Sequence, residues 1–99
     1  MRIVSQCGMY DFPYEAALLT IAPEDILHIG GTVCVFARVG TTEEIFARYS
    51  TETVAVEALR RLHNSYLRVM RQKDRDGIMH YTEPPKVWRF PEEEAVKDG

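Results

Sequence analysis

Five arginines, Arg60, Arg61, Arg68, Arg71 and Arg75, with Lys73 as the single lysine among them, are the residues of this sequence best suited to chemistry. Arginine carries a planar fork of N–H donors that matches phosphate and also stacks on rings. Tyr66, Trp88 and Phe90 are the aromatics placed to sandwich a base. Together they point to recognition of an anion of the nucleotide class. The plainer alternative is a solvated face that keeps a helix in water and pairs with Glu57, Asp74 or the acidic chain end, where exposed ion pairs contribute little.

Other chemistries find less support. The histidines are His28, His63 and His80, and no two of them have metal-ligand spacing within one element. Cys7 and Cys34 give neither a disulfide framework nor a zinc spacing. Cys34 lies in a strand pattern and reads as a small core residue, and Cys7 sits beside Gly8 at a turn. Gly30-Gly31 is too short for a phosphate-cradling loop, and no Ser, Thr or Cys stands in a nucleophile elbow. The expectation is a binding protein without metal or cofactor, not an enzyme.

The arginines must be carried by the stretch from Ser50 to about Arg75, which reads as one long helix. Ser50 and Thr51 can cap its first N–H groups, and Glu52 and Glu57 suit the positive end of its dipole. No Gly or Pro interrupts it before Gly77, the expected stop. At 3.6 residues per turn Ala55, Ala58, Leu59, Leu62, Tyr66, Val69 and Met70 form one stripe for a sheet. Val56, His63 and Leu67 widen the apolar sector to roughly half the circumference. With Met70 they form a candidate interface for a second copy or a foreign protein. A helix of this length, roughly 35 Å, should overhang strands of about 20 to 23 Å.

Ninety-nine residues suffice for one small domain with a modest core. The net charge of −3 conceals a segregation. Residues 1 to 59 carry three basic and eight acidic side chains, residues 60 to 75 six and one, and residues 76 to 99 three and six, giving −5, +5 and −3. An acidic body with one basic segment argues against duplex nucleic acid, whose partners show a basic excess over the whole domain. No apolar run approaches a membrane span, and the opening residues lack a signal peptide's pattern, so a cytoplasmic setting is expected.

Arg2 to Gln6 reads as a first strand, with Phe12-Pro13-Tyr14 an extended interruption. Ala16 to Ala22, Ile26 to Ile29, Thr32 to Val39 and Glu43 to Tyr49 follow as strands. Thr32 to Val39 is the strongest of these and is expected at the centre, because Val33, Val35, Ala37 and Val39 share one face. The expected fold is α+β: an antiparallel meander sheet of four to five strands covered by one long helix, within a single domain spanning 1–82. Residues 83–99 read as an extended tail rich in Pro, aromatics and acids. Its Trp88 and Phe90 are expected to dock on the chain's own domain or on a neighbouring subunit.

Met1-Arg2-Ile3-Val4-Ser5-Gln6 with Gly8, the later Pro13-Tyr14-Glu15, Ala47-Arg48-Tyr49-Ser50-Thr51 before the helix, and Val87-Trp88-Arg89-Phe90-Pro91 before the acids carry a resemblance. The chain resembles a group of short uncharacterised proteins of Gram-positive bacteria and their prophages. Members of that group have Asp or Asn where Cys7 stands, a pairing with Gly that favours a two-residue hairpin turn. The resemblance implies a setting, a phage or mobile-element accessory protein that interferes with host systems, and assigns no residue a role. Within it the expected function is sequestration of a nucleotide-derived small molecule by a homo-oligomer. The alternatives are a module that blocks a host protein through the apolar helix face, and a small enzyme.

Overall fold

The computed structural model describes residues 1–23, 32–67, 72–73, 79–80 and 86–98. These residues build two three-stranded sheets and a long helix. β1 (Arg2–Val4) is the middle strand of the first sheet, antiparallel to β2 (Asp11–Pro13), with Ile3 opposite Phe12. β3 (Leu18–Pro23), β4 (Val33–Val39) and β5 (Thr42–Tyr49) form the second sheet as an antiparallel meander with β4 central. α1 (Glu52–Leu67) follows. β6 (Gln72–Lys73) and β7 (Met79–His80) pair antiparallel. β8 (Val87–Arg89) then joins the first sheet parallel to β1, and α2 (Glu93–Asp98) completes the order.

In place of the expected meander of four to five strands, the described residues form a three-stranded meander, because the opening strand builds a separate sheet with β2 and β8. The strand expected at Ile26 to Ile29 lies outside the described residues. Pro13 ends an outer strand, the position in a sheet that tolerates a residue without an N–H. At the first turn Gly8 N–H donates to the Ser5 carbonyl (3.0 Å) and Ser5 N–H to the Tyr10 carbonyl (2.9 Å). The loop is thus longer than a two-residue hairpin. β4 and β5 do meet in one: Val39 faces Thr42, and Gly40 at φ 61° supplies the positive φ needed at the first central position.

The register of β4 and β5 shifts once, between Val35 and Phe36 on one strand and Ala47 and Ile45 on the other, so Phe46 is the extra residue of a bulge. Strict alternation would put neighbouring Phe46 and Ala47 on opposite faces. With the bulge both are buried, at 1% and 2% exposure. Phe46 meets the rings of Phe12 (5.1 Å between centroids) and Phe90 (6.0 Å), both belonging to the first-sheet side. Its carbonyl accepts from Gln6 N–H (2.8 Å), while Gln6 Oε1 accepts from Arg48 N–H (2.8 Å). Gln6 therefore ties the exit of β1 to the edge of β5.

Thr51 caps α1 by accepting from Val54 N–H at 3.3 Å, and Ser50 instead donates to Glu93 on α2 from both its N–H and its hydroxyl. Val54, Ala55, Ala58 and Leu62 bury one face of α1 against the meander. The helix does not run on to Arg75, since Gln72–Lys73 is extended and paired in β6. Its sixteen residues span about 24 Å and the eight of β5 about 26 Å, so the expected overhang is replaced by a match in length. Among the described residues no helix is long and apolar enough to cross a membrane.

Candidate functional site

Pro13 cannot continue a ladder, and the chain turns there into one 3-10 turn, Tyr14–Ala16, before β3 begins. Tyr14 N–H is held by the Met1 carbonyl at 2.9 Å, which sets the residue at the junction of the two sheets. Its ring packs against the C-terminal half of α1, 4.5 Å from the ring of Tyr66 and 5.9 Å from that of His63. The Tyr14 hydroxyl lies 2.6 Å from His63 Nδ1. Glu15 takes the N-terminal ammonium at 2.8 Å, and its carboxyl is held low by that contact and, to a lesser degree, by the Tyr66 hydroxyl. Burial, and then the nearby Tyr66 and Glu15, push the Tyr14 phenol up, so it keeps its proton.

These groups line a cleft of about 430 Å³ whose remaining wall is Ala17, Leu19 and Leu59. A second groove of about 320 Å³, lined by Ile21, Val56, Leu59, Arg60 and His63, adjoins it. Leu59 and His63 line both, so the two depressions lie side by side along α1 and β3 with these side chains as their shared wall. Their floor is aromatic and aliphatic. Their polar groups are few: the His63 ring, two phenols, Glu15 and the Arg60 guanidinium.

The residues singled out in the sequence fall into three sets. Tyr66 and His63 line the cleft, and Arg60 lines the adjoining groove while its fork closes on Glu57 at 2.7 and 2.6 Å. Arg61 is turned inward, donating to the carbonyls of Ala95 (3.0 Å) and Val96 (2.7 Å), where a cation suits the negative end of α2. Phe90 is 1% exposed and is a core side chain, with half-buried Trp88 set edge-on to it at 5.0 Å. Neither ring shares the cleft with Tyr66. Val56 and Leu67 stand out from α1 at 49% and 59% exposure. Arg68, Met70, Arg71 and Arg75 lie outside the described residues.

Tyr14 and Glu15 are the members of the site that reasoning on the helix alone overlooks. The available signal was the Pro13-Tyr14-Glu15 interruption, where a chain that has just left a strand must turn. Among the described residues no cluster of three His, Cys, Asp or Glu side chains could hold a metal ion. Cys7 is exposed, its thiol 3.2 Å from the Ser5 hydroxyl, a contact that lowers its pKa first, with the Met9 backbone next.

No protein family, curated protein or solved structure matches this chain.

Electrostatics along α1 give one result that titration can check. The Arg60 hydrogen bonds hold the Glu57 carboxyl at about 2, against an ordinary value of 4.5, with Arg61 adding to the effect. A carboxylate with a depressed folded-state pKa adds stability above its unfolded value and loses it as pH falls through the folded one. The difference in Tm between the parent and Glu57→Gln is expected to be largest above pH 4.5 and to close as pH falls toward 2. Because the pair is open to solvent the difference stays small. A gap that widens on acidification contradicts the assignment.

Proposed function

We propose that the protein is a non-enzymatic phage or mobile-element accessory factor which, as a homo-oligomer in the cytoplasm, binds and sequesters a small anionic ligand of the nucleotide class. The observation that carries this reading is the convergence of Tyr14, Tyr66 and His63 on one cleft of about 430 Å³. That volume lies within the range typical of small-molecule sites, roughly 300 to 1,000 Å³, which pair an apolar lining with a few fixed polar groups. The Tyr14 and Tyr66 rings offer a planar base faces to stack on, and Arg60 offers charge to a phosphate at the adjoining end. The setting, antagonism of a host defence signal, comes from the resemblance of the sequence motifs.

Thermal-shift measurements with a panel of mono-, di- and cyclic nucleotides test the reading. At least one is expected to raise Tm, and Tyr66→Ala is expected to weaken its binding about tenfold to hundredfold, since one base–aromatic stack contributes about 1–3 kcal/mol. No shift with any nucleotide retires the proposal. A second reading, an interaction module that blocks a host protein, is favoured by the exposure of Val56 and Leu67 on one side of α1. Retention of a host protein by the parent chain but not by Leu67→Glu, with the nucleotide panel silent, would establish it instead.

A further inference from the structure

His63 lines both the cleft and its adjoining groove, so a ligand seated in either one meets its ring. The imidazole has two nitrogens, and the hydrogen bond at one decides what the other presents. Nδ1 lies 2.6 Å from the Tyr14 hydroxyl. Among the described residues it is the only group hydrogen-bonded to that hydroxyl. A neutral phenol with one acceptor in reach donates its proton there, which leaves the lone pair of Nδ1 engaged and puts the ring proton on Nε2. Among the described residues the other charged groups lining this point are paired: Glu15 holds the N-terminal ammonium, and Arg60 holds Glu57. β3 contributes only the uncharged Leu19 and Ile21.

We propose that Tyr14 is a positioning residue that fixes His63 as the Nε2–H tautomer, and that His63 so fixed is the donor which reads a phosphoryl oxygen of the ligand. The first half stands on the Tyr14–His63 geometry; the second rests on the ligand-binding function proposed above. A ring nitrogen that carries a proton cannot ligate a metal, and a donor beside the Arg60 guanidinium suits an anion. With the base on Tyr14 and Tyr66, the phosphate end of a nucleotide would meet His63 first and Arg60 next.

Imidazole ¹⁵N spectra of the full chain, recorded above the imidazole titration range and assigned with His63→Gln, test the first half. The parent is expected to show a pyridine-type Nδ1 and a pyrrole-type Nε2, and Tyr14→Phe a mixture of tautomers. A pyrrole-type Nδ1, or a mixture already in the parent, overturns the role of Tyr14. Calorimetric titration with AMP and with adenosine tests the second half. His63→Ala is expected to weaken AMP about tenfold to hundredfold, the range for a hydrogen bond to a charged group, and to leave adenosine unchanged. His63→Gln, whose amide N–H reaches the Nε2 position, is expected to recover most of the loss. Equal losses for both compounds, or no recovery, overturn the donor role. If AMP does not bind while another nucleotide does, the donor role falls and the binding function stands. If no nucleotide binds, both fall, and the spectra still decide the role of Tyr14.

Discussion

Phe90→Ala is expected to lower the free energy of unfolding by about 3–5 kcal/mol, the range for emptying a buried aromatic site. Phe90 is fully enclosed, touches Phe46 and Trp88 edge-on, and donates its N–H to the Val4 carbonyl at 3.0 Å. It therefore joins two things at once. It extends the ladder between β1 and β8, and it seals the space between the first sheet and the bulge at Phe46. A domain of this size has only about 5–15 kcal/mol in total, so the variant should unfold tens of degrees earlier or not fold at all. Urea denaturation read by Trp88 fluorescence measures the change. Val87→Ala, at a site 58% exposed on the same strand, is the control and should change stability by less than about 0.5 kcal/mol. A loss below about 1 kcal/mol for Phe90→Ala would mean that the C-terminal segment lies on the domain without completing its core.

That prediction rests on a feature no local pattern reveals. The parallel pairing of Ile3 with Trp88 unites residues from opposite ends of the chain, and neither three-residue strand has a period long enough to read. The aromatic island at Val87 to Pro91 was visible as something that needs a dock; its partner was not. By contrast β4 was plain, because seven residues with Val33, Val35, Ala37 and Val39 on alternate positions have few other solutions. The Gly40 hairpin and the start of α1 were plain for similar reasons, each set by a local chemistry of φ or capping. The end of α1 was not legible. Residues 52 to 75 favour a helix throughout, and only the pairing of Gln72–Lys73 with Met79–His80 requires an extended chain earlier. The bulge at Phe46 defeats strict alternation in the same way. As for the site, Tyr66 and His63 could be picked out from the helix, but Tyr14, 49 residues away from His63, reaches it only because Pro13 ends a strand at the right place.

If the protein assembles as the proposed homo-oligomer, replacing Val56 and Leu67 together by glutamate is expected to dissociate it while leaving the fold of the protomer intact. Both side chains project from α1, at 49% and 59% exposure, on the side away from the core residues Val54, Ala55, Ala58 and Leu62. Thr53, Val56, Arg60, His63 and Leu67 are spaced by three and four residues alternately, the spacing of a seam between paired helices. In a lone protomer, a charge at such a solvated position changes stability by roughly 0.5 kcal/mol or less. In a helix–helix contact each glutamate must leave water without a partner, which costs several kcal/mol per site. The outcomes are therefore well separated. Light scattering after size-exclusion chromatography should give a multiple of the 11.4 kDa chain mass for the parent and a single chain mass for the double variant, with nearly equal Tm once protein concentration is low enough to dissociate the parent. A parent that already runs as a monomer makes the seam a solvated face and leaves the cleft beside it to act within one chain. An oligomer untouched by the double variant places the contact elsewhere, and Val56 and Leu67 then become the first residues to examine for a foreign partner.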